Sequence, residues 1–118
     1  YSAMRHLQLW EAEHDGQPAG LLATDAVIGK FEKIDYAVAL DTGGRVLQVL
    51  VLKYRESHGQ EVRRPQWLAQ FEGKHAGSPL RLREDIDNIT GATLSCVHLT
   101  DGVRRITRVL APAGSAAP

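Results

Sequence analysis

Two threonines flank a Gly-Ala pair in the stretch DNITGAT, residues 87–93, just before a segment with helical periodicity. Hydroxyls and small residues at the mouth of a helix suit one kind of chemistry, the holding of a phosphate. A helix N-terminus presents backbone N–H groups without intrahelical partners and the positive end of the macrodipole. Gly91 and Ala92 have almost no side chain, so a bulky ligand can approach the main chain there. Thr93 has a hydroxyl that could be esterified, and Thr90 one that could hydrogen-bond a phosphate oxygen. Asp87 would repel a phosphate. Its carboxylate is better suited to fixing the turn through backbone N–H groups, or to serving as a recognition signal for another protein. Local physics also admits a plainer alternative, in which Thr90 or Thr93 is an ordinary N-cap.

Other reactive residues point nowhere. Cys96 is the single cysteine, which excludes an internal disulfide and a multi-cysteine metal site; on an apolar helix face it reads as a small core residue. The five histidines, at 6, 14, 58, 75 and 98, lack metal-binding spacing, and no zinc site is expected. Lys plus Arg equal Asp plus Glu at 14 each, so no charge excess suggests nucleic acid. No apolar run approaches the ~18 residues of a membrane span. The chain starts at Tyr1 rather than Met, so the lack of a targeting segment is uninformative about location.

The elements that must position the turn follow from periodicity. At 118 residues the chain has room for one modest core, assigned to residues 1–110, with APAGSAAP (111–118) as a flexible tail. The first half reads as strands: 7–13, then 19–28, with Gly29-Lys30 as a two-residue hairpin. Residues 31–40 follow, where Ile34, Tyr36, Val38 and Leu40 face one way. DTGG (41–44) is a turn. RVLQVLVLKY (45–54) is apolar on both faces, which predicts a central strand covered on both sides. Residues 54–64 read as a polar loop, and Pro65 opens a short helix stopped by Gly73. From 94 to 110, Leu99, Val103, Ile106 and Leu110 make one apolar stripe of a helix that Gly102 weakens. Arg104, Arg105 and Arg108 lie off that stripe, as a solvated face or a docking site for an acidic partner. Trp67 and Phe71 read as core, and Tyr36 and Tyr54 as sheet and loop packing. The expected fold is α+β: an antiparallel meander of about four strands, a short helix, and a C-terminal helix after the turn.

DNITGAT resembles the flavinylation motif of the FMN-binding domain family: Asp, two variable residues, Ser or Thr, Gly, Ala, then Thr or Ser. Asp87, Thr90, Gly91, Ala92 and Thr93 fill every fixed position. A second segment, YRESHGQEVRRPQWLAQFEGK (54–74), is similar to the family's stretch after the central strand, with its Glu, its glycine and its QFxGK ending. Many members begin that stretch Glu-Thr-Pro-Gly-Leu-Gly. Glu56, Ser57, His58, Gly59, Gln60 and Glu61 depart from it and look like the branch of small flavin domains found with extracytoplasmic or membrane-bound reductases. The similarity spans roughly Gly29 to Leu110.

The resemblance implies FMN as a phosphoester on Thr93, installed by an ApbE-type flavin transferase that uses Mg²⁺ and FAD. It implies an electron carrier like the flavin subunits of Rnf complexes and of the sodium-pumping NADH:quinone oxidoreductase. Extracytoplasmic location and redox partner proteins, some membrane-bound, go with it. Glu56, Ser57, His58, Gly59 and Glu61 are then either the wall around the flavin ring or a solvated hinge. A redox-sensing or interaction domain of a larger membrane protein, and a flavin-dependent reductase of small molecules, remain the competing functions.

Overall fold

The computed structural model describes residues 6–112. Strands β1 (Gln8–His14), β2 (Gln17–Ile28), β3 (Lys33–Leu40) and β4 (Val46–Tyr54) form one antiparallel sheet in the order β1-β2-β3-β4. This is the predicted meander. The alternation in β3 sets the buried face: Ile34, Tyr36, Val38 and Leu40 are each 1 % exposed or less, and Ala23, Asp25 and Val27 pair beside them on β2. A single long helix, α2 (Thr93–Val109), packs on β2 and β3. Its Cys96, Leu99, Val103 and Ile106 are fully buried in the same core, as a one-sided stripe demands.

Gly102, expected to weaken α2, has a packing reason to be glycine. The Tyr36 hydroxyl occupies the place where a β-carbon would stand, with Tyr36 Cζ at 2.8 Å and Val27 Cγ1 at 3.0 Å from it. Of the three arginines, Arg108 is exposed as expected, while Arg104 and Arg105 are half-buried. Arg104 donates to the Leu80 carbonyl (2.9 Å) and pairs with Asp101, and Arg108 donates to the Ala76 carbonyl, so both tie the 76–80 segment to the helix.

Two expectations fail in the sheet. β4 is an edge strand, not a central one, and Leu47, Leu50 and Leu52 are each about half exposed on the uncovered face. An apolar run on both faces measures composition, not coverage. The Gly29-Lys30 hairpin is also longer than two residues: β2 ends at Ile28 and β3 begins at Lys33, with Gly29 N bonded to the Glu32 carbonyl. A carboxylate 26 residues away holds this loop, which no local pattern could announce.

After β4 the chain makes a 3-10 turn (Gln60–Arg63), then a short helix α1 (Pro65–Leu68) that tightens into a second 3-10 turn (Ala69–Phe71). Trp67 and Phe71 are core, as expected, packed edge to face with centroids 5.3 Å apart. Leu110 packs against the core, and Ala111 and Pro112 are half-buried. The remaining tail residues, 113–118, lie outside the described residues. No helix among the described residues is long and apolar enough to cross a membrane.

Candidate functional site

The motif turn is held from below by its own backbone. Trp67 Nε1 donates to the Asp87 carbonyl at 2.7 Å, and Asp87 N donates to Gln70 Oε1 at 2.8 Å. The buried indole of α1 therefore fixes where the motif begins. Ala92 N then bonds the Ile89 carbonyl at 3.0 Å, closing a turn in which Gly91 takes φ +89°. That third position of a type II turn is one that only glycine occupies without strain.

The helix starts at Thr93, with Ala92 as its N-cap residue and no side-chain cap. Neither threonine is the N-cap, which removes the plain alternative. Alanine is a poor cap, so the first-turn amides of α2 keep their hydrogen-bonding capacity. Thr93 is exposed at the first helical position, and Thr90 and Gly91 are exposed beside it. Asp87 is exposed too, and its carboxylate makes no hydrogen bond among the described residues. The expectation that this carboxylate fixes the turn is not met; its backbone does so instead.

In front of the helix start lies a cleft of about 520 Å³, within the roughly 300–1,000 Å³ common for cofactor sites. It is lined by Gly91, Ala92 and Thr93 together with Glu56, Ser57, His58 and Gly59. Two segments more than thirty residues apart thus share one cavity. Glu61 faces an adjoining groove with Ser57, His58 and Arg64 instead, while Asp87 and Thr90 sit outside the cleft.

Sequence reasoning missed several members of the site. Lys30 and Phe31 come from the β2–β3 loop and form the third side. Phe31 is 77 % exposed, an uncovered aromatic ring at the cleft mouth with Lys30 Nζ 5.2 Å from its centroid. Glu56 builds that side: its carboxylate accepts from Lys30 N (2.7 Å) and Phe31 N (2.8 Å). These amides, Lys30's above all, hold the Glu56 carboxyl below its ordinary value. Tyr54, read from sequence as packing, lines the floor; its hydroxyl donates to the His58 carbonyl and lies 3.3 Å from Ser95 Oγ. Asn88 Nδ2 lies 3.1 Å from Thr93 Oγ1.

Comparison with known proteins agrees with this geometry. The family described as FMN-binding domain matches residues 29–108. Over 110 residues the chain is 30% identical to a subunit of the ion-translocating oxidoreductase complex of Stutzerimonas stutzeri, covering 84% of this chain and 48% of that protein. The crystal structure of Shewanella oneidensis NqrC shares the fold with a TM-score of 0.64 at 20% identity, over 86% of this chain and 54% of that one. The chain spans about half the length of these relatives. With most of its length matched, the chain belongs to the FMN-binding domain family.

Proposed function

We propose that this domain carries FMN as a phosphoester on Thr93 and relays electrons between redox partner proteins on the extracytoplasmic side of a membrane. The observation that carries the reading is an exposed Thr93 hydroxyl at an uncapped helix N-terminus, opening onto a cleft of cofactor size. The residues present fit the group. The first-turn amides of α2 suit its phosphate, and the gap left by Gly91 and Ala92 admits it. Phe31 and the 56–59 segment make walls suited to a flat aromatic ring. When bound, FMN supplies transfer of one or two electrons, and the protein supplies position and electrostatics.

A relay suits the cleft better than substrate turnover does. Its one carboxylate, Glu56, is committed to backbone amides, which leaves no free carboxylate there for general acid–base work. The cleft mouth at Phe31 is open, as a ring edge exposed to a partner protein requires. Thr93 is a modification site, and the exposed Asp87, Thr90 and Gly91 form the surface that an ApbE-type flavin transferase would grip. Covalent attachment makes physical sense outside the cytoplasm, where a lost cofactor could not be replaced.

Co-expression with the transferase tests this. The purified domain should fluoresce as a flavoprotein on a denaturing gel, and Thr93→Ala should not. The bound flavin should bleach on chemical reduction and recover its colour when an oxidised carrier protein is added. A Thr93→Ala variant with covalent flavin would end the attachment reading; a flavin that reduces but never reoxidises would end the relay reading.

A further inference from the structure

The side chain of Asn88 has an unusual bond pattern. Its one hydrogen bond among the described residues goes to Thr93 Oγ1, at 3.1 Å across the turn. Its own Oδ1 is buried and meets no donor among the described residues. The backbone beneath is firm, because Asp87 next to it is fastened to Trp67 and Gln70.

Resting on the reading of Thr93 as the attachment residue, we propose that Asn88 is a positioning residue for its flavinylation, holding Thr93 Oγ1 in the orientation from which it attacks. A threonine hydroxyl on a helix divides between two rotamers. The Asn88 N–H, donated to one lone pair, selects one of them and leaves another lone pair to face the incoming group. In the reaction Thr93 Oγ1 forms a bond to the flavin-side phosphorus of FAD, and the bridging P–O bond to the adenylate half breaks. AMP leaves, the hydroxyl proton passes to the transferase or to water, and nothing is oxidised or reduced. Asn88 touches neither nucleotide nor phosphorus. It acts through Thr93.

The test uses the purified flavin-free domain with transferase, FAD and Mg²⁺, following intact mass against time. Asn88→Ala should lower the limiting labelling rate about ten- to hundredfold, the scale on which misplaced reacting atoms act. KM for the domain, the circular dichroism and Tm should stay as in the parent. Asn88→Asp keeps the size of the side chain but loses the donor at neutral pH. Its rate relative to the parent should climb as pH falls and its carboxyl regains a proton, a profile that a purely structural role would not give. In a Thr93→Ser background, with one more rotamer open, Asn88→Ala should cost more than it does beside threonine. Parent-like labelling of both Asn88 variants would overturn the proposal while leaving the attachment reading standing. So would a loss confined to KM, or one that tracks Tm. A parent that takes no label, like its Thr93→Ala control, would instead overturn the attachment reading and the proposal with it.

Discussion

Replacing Gly102 with Ala sets two opposing effects of known size against each other. In a helix interior, Gly→Ala should stabilise by about 1 kcal/mol through backbone propensity alone. Here the new methyl would stand 2.8 Å from Tyr36 Cζ and closer still to the hydroxyl, with Val27 Cγ1 at 3.0 Å. Tyr36 is fully buried on an inner strand, so its rigid ring has no free direction in which to retreat. Overpacking of this kind costs about 1–3 kcal/mol. Set against the propensity gain, the net expectation is a loss of up to about 2 kcal/mol. At about 4 °C for each kcal/mol in a domain of this size, Tm should fall by up to about 8 °C in a thermal melt. In a Tyr36→Phe background, where the obstructing oxygen is gone, the same substitution should cost much less. A Gly102→Ala variant that melts higher than the parent would refute the claim that Tyr36 fills the glycine's place.

Three further perturbations probe the site and its support. Glu56→Ala should free the amides of Lys30 and Phe31, visible as faster hydrogen exchange there while exchange in α2 stays unchanged. Acidification should act alike: the Glu56 carboxyl sits below its ordinary 4.5 in the fold, so its contribution is complete above 4.5 and is lost as pH falls through the lower folded value. At Gly91 the conflict is with the backbone, since nothing lies within 4 Å of an added β-carbon but φ is +89°. Gly91→Val should therefore lose labelling by the transferase, and Gly91→Asn should keep more of it at equal circular dichroism. Burial pushes the Asp25 carboxyl above 3.8, with Tyr36, Arg105 and the Ala26 amide only partly offsetting it. The fold then loses stability as pH rises from 3.8 through the folded value, so Asp25→Asn should match the parent in acid and exceed it at neutral pH in denaturant titrations.

The sequence made the buried face of β3 and the stripe of α2 legible because alternation and a near-fourfold period are local properties of the chain. It made the motif turn legible because a positive φ at Gly91 demands a residue type. What it could not show depended on distant partners. The run from Val46 to Tyr54 carries leucines on both faces, and nothing in it says that one face stays open. The β2–β3 loop needs the Glu56 carboxylate, and the motif needs the Trp67 indole, each supplied from elsewhere in the chain. Phe31 entered the site the same way. The motif and the 56–59 segment marked where chemistry could occur, while Lys30, Phe31 and Tyr54, which complete the cleft, sat at positions without a pattern.

The central claim is a covalent bond between Thr93 and FMN, and peptide mapping of the flavinylated protein tests it most directly. Cleavage after Arg83 and Arg104 releases residues 84–104, a peptide holding the hydroxyls of Thr90, Thr93, Ser95 and Thr100. The account predicts that this peptide alone carries the mass of one FMN less one water, and that fragment ions place the whole increment on Thr93. An increment on Thr90, Ser95 or Thr100, or on any other peptide, would contradict it.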